Sequence, residues 1–243
     1  MNIKFFNKKI LITGATRGIG KELAIQYTNL GATVIITGTQ SKKPDWVGSN
    51  IHYEVLNISA KSKWQNSISK IVEKYNGFDI CINNAGINKI SSIDELNIDD
   101  LSNIILVNLT APIYIASIVS KYMIKNKYGF IINIGSIFGV VSKEKRNPYT
   151  ATKSGIIGAT KTMAIDLAKY NILVNSISPG FVDTELTNNI LGTEGMNLMK
   201  QKIPLQRLAQ PSDIVNTIMF FTSDYNTYIT GQNIIVDGGF TLE

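Results

Sequence analysis

Residues 9–20 read K-I-L-I-T-G-A-T-R-G-I-G. A short apolar run leads directly into a turn with three glycines, Gly14, Gly18 and Gly20, and an amphipathic stretch follows. Continuous apolar runs of this length are typical of strands buried in a parallel sheet. The stretch therefore predicts a strand–turn–helix unit at the start of an α/β fold.

Strand-length apolar runs alternate with helix-length amphipathic stretches up to the C-terminus. This pattern predicts an α/β fold of Rossmann type, a doubly wound parallel sheet of about seven strands in a single domain over residues 1–243. The predicted strands lie near residues 9–13, 33–37, 51–56, 78–83, 130–134, 172–177 and 233–236. The predicted helices lie near residues 18–30, 62–75, 99–127, 149–169 and 212–222. The connection 38–50 is short and contains Pro44 and Gly48, so we expect a stunted helix or an irregular loop there.

Composition narrows the possible functions. The chain is 44% hydrophobic, which suffices for a large core, and its uninterrupted apolar runs are far shorter than the ~18 residues that span a bilayer. We expect a cytoplasmic protein without a membrane segment. The net charge is +6, but the lysines are dispersed, so we expect attraction for anionic ligands and no nucleic-acid interface. Cys81 and His52 stand alone, which argues against a disulfide, a metal site or a histidine-dependent nucleophile.

The glycine-rich turn is a candidate anion site. Glycines let the backbone approach a pyrophosphate, and the free N–H groups and positive dipole end of the following helix hold the anion. We therefore predict that a dinucleotide is bound by the turn residues Gly14, Thr16, Arg17, Gly18, Ile19 and Gly20.

Three further motifs follow in order along the chain. N-N-A-G at 83–86 ends the predicted fourth strand, Y-T-A-T-K at 149–153 opens a helix, and Pro179-Gly180 follows the sixth strand. With the glycine turn, these motifs make the chain resemble the short-chain dehydrogenase/reductase family over its whole length, and most closely the 3-oxoacyl-acyl-carrier-protein reductases within it. The resemblance implies an NAD(P)-dependent oxidoreductase that moves a hydride between a nicotinamide and a carbonyl or alcohol carbon.

Tyr149 and Lys153 are the candidate acid/base pair. They are four residues apart on a predicted helix, so their side chains project from one face. The pKa of a free phenol is about 10, and a nearby ammonium is expected to lower that of Tyr149. By resemblance, Lys153 also binds the nicotinamide ribose, and Ser136, at the carboxyl end of the fifth strand, orients the substrate oxygen.

Asn108 lies four residues before Pro112 inside a predicted helix. An α-helix would bond the N–H of residue 112 to the carbonyl of residue 108, and proline has no N–H. We therefore predict a kink that frees the Asn108 carbonyl for a water. The resemblance implies that this water belongs to a proton relay that reprotonates Tyr149 through Lys153.

The end of the second strand indicates the cofactor. NAD-preferring enzymes place an acidic side chain there to bind the ribose 2′-hydroxyl, but residues 37–39 read T-G-T. Gly38 stands where the acid is expected, and Arg17 with Lys42 or Lys43 could contact a 2′-phosphate. NADP(H) is therefore favoured over NAD(H).

The resemblance assigns the remaining contacts. Asn57 and Ile58 stand where the family commonly has an aspartate beside the adenine, and an asparagine can still form hydrogen bonds there. Val182 and Thr184 would meet the nicotinamide carboxamide, and residues 186–203 would form a mobile cover over the substrate. The complete predicted cofactor set also contains Thr39, Asn83, Ala85, Gly86, Pro179 and Gly180.

The substrate stays open at this stage. A basic surface suits an acidic acyl carrier protein, but residues 125–130 and 169–171 carry lysines where the family's carrier-protein reductases use arginines. Small ketones, steroids, sugars and sugar nucleotides are alternatives to an acyl thioester. An alternative of another class is a non-catalytic NADP(H)-sensing module. The C-terminal segments 228–231 and 236–239 also resemble the family, which implies a homotetramer.

Overall fold

Seven parallel strands form the centre of the molecule. The structure, a computed structural model, describes residues 3–60 and 62–242, with every side chain among them except that of residue 186. The strand order is β3-β2-β1-β4-β5-β6-β7, which confirms the predicted doubly wound sheet. The strands are β1 (Lys9–Ile12), β2 (Thr33–Gly38), β3 (Ile51–Val55), β4 (Ile80–Asn83), β5 (Gly129–Ile134), β6 (Ile172–Pro179) and β7 (Asn233–Val236).

Helices cover both faces of the sheet. They are α1 (Gly18–Asn29), α2 (Trp64–Lys74), α3 (Ile98–Ile105), α4 (Ala111–Asn126), α5 (Asn147–Ala168), α6 (Glu185–Lys202) and α7 (Pro211–Phe221). Successive side chains of a strand point to opposite faces, so Ile10 and Ile12 of β1 pack in one core cluster with α1 and α7. Leu11 points the other way and packs in a second cluster with α2, α4 and α5. Strands buried on both faces explain the continuous apolar runs in the sequence.

The strand order reverses between β1 and β4. β1 pairs with β2 on one side and with β4 on the other, so the connections that leave these strands diverge at their carboxyl ends. A crevice at such a switch point is where open α/β sheets bind their ligands. The glycine turn after β1 and the N-N-A-G segment after β4 both lie at this edge.

Most predicted elements agree with the structure to within about two residues. The connection 38–50 contains turns and bends but no helix, as its proline and glycine suggested. The main omission is α6, because the predicted cover 186–203 is helical for most of its length. A break at Gly192 (φ 63°, ψ 177°) divides that helix. Its mobility stays a prediction.

The predicted helix 99–127 is divided by a π-helical segment. α3 and α4 flank Leu106–Thr110, where the N–H of Ala111 bonds to the carbonyl of Leu106, five residues earlier. The structure thus accommodates Pro112 through a π-helical turn, and the residues flanking it keep right-handed helical angles. The helix is thus irregular at Asn108, as predicted, but the irregularity is a wider π-helical turn and not a kink.

The segment Ile98–Asn126 also bears on the expectation of no membrane segment. It is 29 residues long and contains an 18-residue window with a mean hydropathy of 1.7, so by length and composition it is long and apolar enough to cross a membrane. The sequence argument considered only uninterrupted apolar runs and missed it. In the structure one face of the segment packs in the core, where Ile104, Ile115 and Val119 are at most 2% exposed.

Candidate active site

The glycine turn packs directly against the segment that follows β4. Gly14 has a positive φ of 60°, and a Cβ there would lie 2.8 Å from the Cα of Ala85. The hydroxyl of Thr13 accepts hydrogen bonds from the backbone N–H groups of Asn84 and Ala85, both at 3.1 Å. These contacts hold the two loops of the crevice together, and only glycine fits at position 14.

The N-terminus of α1 is open to an anion. Gly18, its first residue, has a φ of 57°, and the preceding Arg17 makes no side-chain capping hydrogen bond among the residues that the structure describes. The first N–H groups of α1 therefore remain available, and a pyrophosphate is the kind of group that they bind. The turn fits the phosphates of a dinucleotide.

The end of β2 is crowded at position 38. A Cβ on Gly38 would lie 2.5 Å from Cγ2 of Thr16 and 2.8 Å from the hydroxyl of Tyr53. An aspartate or glutamate at position 38 would require the side chains of Thr16 and Tyr53 to shift. The predicted cations have protein partners in this structure: Arg17 pairs with Glu185 at 3.3 Å, Lys42 with Asp45 at 3.2 Å, and Lys43 donates to a backbone carbonyl.

Four predicted residues converge at the carboxyl edge of β4 and β5. Lys153, on α5, donates from Nζ to the carbonyl of Ile134 at 2.6 Å, and its Nζ lies 5.6 Å from the ring centroid of Tyr149. A Cβ on Gly86 would lie 3.8 Å from that Nζ and 3.6 Å from the side-chain oxygen of Asn108. Lys153 and Asn108 therefore flank the N-N-A-G segment.

Ser136 begins the short 3-10 turn that follows β5. Its hydroxyl accepts the N–H of Phe138 at 3.1 Å and is buried. The hydroxyl also interacts with the Tyr149 phenol and favours the ionised form of that group. Ser136 and Tyr149 thus face a common point, as two groups that share one substrate oxygen must.

The ionisation of the Tyr149–Lys153 pair differs from the sequence-based expectation. Burial lowers the pKa of the Lys153 ammonium to about 8. Burial also raises the pKa of Tyr149, against smaller lowering effects from Ser136 and from the charge of Arg146. The expectation that Lys153 lowers the pKa of Tyr149 was wrong for the protein without ligand, because desolvation outweighs the neighbouring charges.

Asn108 has a structural role that the sequence did not indicate. Its side-chain oxygen accepts the N–H of Ile87 at 2.9 Å, and its amide donates to the carbonyl of Ile87 at 2.8 Å and to the hydroxyl of Thr152 at 3.3 Å. The side chain thus ties the loop after Gly86 to α5. The proposed relay uses the main-chain carbonyl and is compatible with this arrangement.

Asn83 points away from the crevice. Its side chain is 3% exposed and donates to the side chain of Asn133 at 2.8 Å and to the carbonyl of Pro112 at 3.3 Å. These bonds join β4 to β5 and to α4. The contacts of its side chain are therefore structural, and they give no support to its assignment to the cofactor.

The other predicted cofactor residues differ in how exposed they are. The exposed ones are Arg17, Thr39, Asn57 and Gly86; the half-buried ones are Gly14, Thr16, Gly18, Ile19, Ala85, Gly180 and Thr184; and the buried ones are Gly20, Gly38, Ile58, Pro179 and Val182. Thr184 caps α6 by accepting the N–H of Thr187, and its methyl group faces Gly18. The predicted nicotinamide end of the site therefore lies beside the predicted pyrophosphate turn.

Sequence reasoning missed an aromatic and cationic wall beside Tyr149. The Phe138 ring packs edge-on against Tyr149 and Phe181, with centroids 6.4 and 6.2 Å apart. The guanidinium of Arg146 lies 5.4 Å from the Phe138 centroid. The only signal in the sequence was an arginine three residues before the candidate tyrosine, in a chain with few arginines.

Comparisons with known proteins agree with this geometry. Residues 14–241 match the family model described as "Enoyl-(Acyl carrier protein) reductase". The chain is 35% identical to the 3-oxoacyl-[acyl-carrier-protein] reductase FabG of Aquifex aeolicus, over 98% of this chain and 99% of that protein. It is 34% identical to the protein of the same name from Thermotoga maritima, over 97% and 98% of the two chains.

Solved structures show the same fold. A gluconate 5-dehydrogenase from Burkholderia cenocepacia, in complex with NADP and tartrate, superposes with a TM-score of 0.91 at 28% identity and covers 99% of this chain and 97% of its own. A putative gluconate dehydrogenase from Agrobacterium tumefaciens gives 0.90 at 30% identity, over 98% and 97%. The chain belongs to the short-chain dehydrogenase/reductase family. It is accordingly an oxidoreductase that acts on a carbonyl or alcohol carbon.

Proposed function

We propose that the chain is an NADP(H)-dependent carbonyl reductase with Tyr149 as proton donor. The observation that carries the proposal is the convergence of Ser136, Tyr149 and Lys153 at the crevice beside Gly86. NADPH, when bound, supplies the hydride. Ser136 orients the carbonyl oxygen, and the Tyr149 phenol donates a proton to it.

Lys153 and Asn108 support this proton transfer. Because burial raises the pKa of Tyr149, its phenol is protonated at neutral pH and can act as an acid. Lys153 binds the nicotinamide ribose, and a water on the Asn108 carbonyl connects it to solvent, as the family resemblance implies. In the reverse direction Tyr149 accepts the proton of an alcohol.

The preference for NADP(H) is supported by the end of β2. Glycine stands at position 38, where the side chains of Thr16 and Tyr53 crowd the space that an acidic residue would need, and the exposed Arg17 lies at the adjacent turn, where a 2′-phosphate would need a cation. Two of the similar structures contain NADP. We expect a KM for NADPH at least tenfold below that for NADH. A tenfold preference for NADH would contradict the assignment.

Two substrate classes are supported by different relatives. The reductases of Aquifex and Thermotoga are named for 3-oxoacyl groups on acyl carrier protein, which favours a 3-oxoacyl thioester. The similar gluconate dehydrogenases favour a hydroxylated carboxylic acid or its oxo form. Both classes present a carbonyl to the same Ser136 and Tyr149.

The test measures NADPH oxidation with acetoacetyl thioesters, enoyl thioesters, diketones and keto-sugars. We expect turnover of carbonyl substrates and a loss of about 10²–10⁴-fold in Tyr149→Phe. Turnover of enoyl thioesters alone would overturn the assignment to carbonyl carbons. Binding of NADP(H) without turnover of any member would favour a sensing module.

We further propose a homotetramer located in the cytoplasm. Large apolar side chains stay exposed in the single chain, among them Ile165 at 78% and Tyr228 at 95%, and an interface between copies would cover them. Sedimentation equilibrium measures the assembly directly, and a monomer at micromolar concentration would contradict this proposal. The cytoplasmic location stays a prediction.

A further inference from the structure

Arg146 is a buried cation beside the candidate active site that the proposed reaction does not use. It lies immediately before α5, three residues before Tyr149, and is 7% exposed. Its guanidinium lies 5.4 Å from the centroid of the Phe138 ring, and that ring also packs against Tyr149. Arg146 is close enough for its charge to act on the Tyr149 phenol. It therefore lies near the place where a substrate would react.

The Arg146 guanidinium has no acceptor in the part of the chain that the structure describes. No carboxylate there forms a salt bridge with it, whereas Arg17 pairs with Glu185 and Arg207 with Asp213. Its five N–H donors make no hydrogen bond among the same residues, and the Phe138 ring compensates only part of the lost hydration. The guanidinium nitrogens therefore stay accessible from the cavity that Arg146 lines, and a ligand with oxygen atoms could supply the missing acceptor there.

A cavity of about 570 Å³ lies against Arg146. Hydroxyl and amide side chains line it, including Ser92, Ser142, Asn147 and Thr150. Three basic and two acidic side chains contribute to the wall, so the lining carries a net positive charge. The cavity is large enough for a small polar molecule, and its wall includes Asn147 and Thr150 on α5, the helix that also carries Tyr149.

We infer that Arg146 binds an anionic group of the substrate, a carboxylate or a phosphoryl group, close to the carbonyl that is reduced. The planar fork of a guanidinium matches two oxygens of such a group. The inference rests on the proposed carbonyl reduction and narrows it to short anionic oxo compounds. The reacting end of an acyl thioester is uncharged and would leave Arg146 without a partner. Arg146 is thus a specificity-determining residue.

Three test compounds of similar size distinguish an effect of the substrate's charge from an effect of its shape. Acetoacetate carries a carboxylate, acetonylphosphonate carries a phosphonate, and methyl acetoacetate is neutral. With NADPH, wild-type protein should show the highest kcat/KM with one of the two anions, and the better one identifies the group. Arg146→Gln should lower kcat/KM for that anion about 30- to 1,000-fold more than for the ester. Arg146→Lys keeps the positive charge but loses the planar guanidinium, so its kcat/KM for the anion should lie between those of the wild type and Arg146→Gln.

The control is Lys169→Gln, which removes a positive charge at the other end of α5, about 33 Å away for a helix of 22 residues. It should leave the ratio of anion to ester unchanged. Equal losses for anions and ester in Arg146→Gln, or no preference for an anion in the wild type, would overturn the inference. Circular dichroism and NADPH affinity check that the variants fold.

A failure of the proposed carbonyl reduction can be distinguished from a failure of the anion site. If wild-type protein reduces none of the three compounds, calorimetry can follow the binding of acetoacetate and acetonylphosphonate to NADPH-loaded Tyr149→Phe. Binding of either anion that disappears on adding Arg146→Gln supports the anion site without catalysis. Absent binding, or binding that is unchanged by Arg146→Gln, overturns it.

Discussion

Replacing Lys153 tests how strongly the protein desolvates its own active site. Lys153 is 4% exposed, and burial lowers its pKa from the usual 10.5 to about 8. At about 1.36 kcal/mol per pKa unit, this difference corresponds to about 3 kcal/mol of lost folding stability at neutral pH. Lys153→Met removes that cost, together with the hydrogen bond to Ile134.

The dependence on pH isolates the electrostatic part. Below pH 8 the folded and unfolded chains both carry the proton, so the full cost is present. Between pH 8 and 10.5 the folded state loses the proton first, the unfolded state binds more protons, and the wild type becomes more stable. The lost bond to Ile134 lowers the stability of Lys153→Met at both pH values, because a neutral amine can still donate it, so the change between them reports chiefly the ionisation of Lys153.

Urea unfolding of ligand-free protein at equal concentration, at pH 7 and pH 10, measures the effect. The wild type should gain about 2–3 kcal/mol relative to Lys153→Met between these pH values. Lys161→Met, an exposed lysine on the same helix, should stay within about 0.5 kcal/mol of the wild type at both. A constant difference between wild type and Lys153→Met would refute the desolvation of this ammonium.

Three further predictions concern the crevice. Burial raises the pKa of Tyr149, so kcat/KM for alcohol oxidation, which reports the ionisation of the free enzyme, should keep rising with pH to beyond pH 10. A kcat/KM that is independent of pH would contradict this. Asn108→Ala should lower kcat more than the affinity for NADPH, because loss of the side-chain bonds to Ile87 and Thr152 would let the main-chain carbonyl that holds the relay water shift; equal losses in both would count against the relay. Gly38→Ala should weaken NADPH binding and lower the unfolding free energy by about 1–3 kcal/mol, since its Cβ meets Thr16. The control is Gly158→Ala on α5, where a Cβ meets open space, so its unfolding free energy should be unchanged or higher. If Gly158→Ala loses as much unfolding free energy as Gly38→Ala, the contact with Thr16 does not explain the loss.

The parts of the fold that the sequence predicts well are those with local causes. Apolar runs that are buried on both faces identified all seven strands, and the glycines after β1 identified the turn. Tyr149 and Lys153 could be paired because helical spacing is a local property. α6 was missed because its asparagines and Gly192 weaken the helical pattern, and the N-terminal cap of Thr184 was not recognised.

The chemistry of the site depends on tertiary contacts and was predicted less well. The pKa of Lys153 is set by burial against strands distant in the sequence, which the spacing to Tyr149 does not indicate. The partner of Asn108 is Ile87, 21 residues away, and no local motif connects them. Arg146 looked like an ordinary basic residue until the fold placed it against Phe138.

The π-helical segment Leu106–Thr110 restricts how the length of this chain can vary. Its wide turn accommodates one more residue than a regular turn, which advances the start of α4 by about 100° around the axis. Deletion of a single residue there would restore regular winding and rotate Ala111, Ile115 and Val119 away from the sheet. Homologous chains should therefore tolerate substitutions in this segment far better than a change in its number of residues.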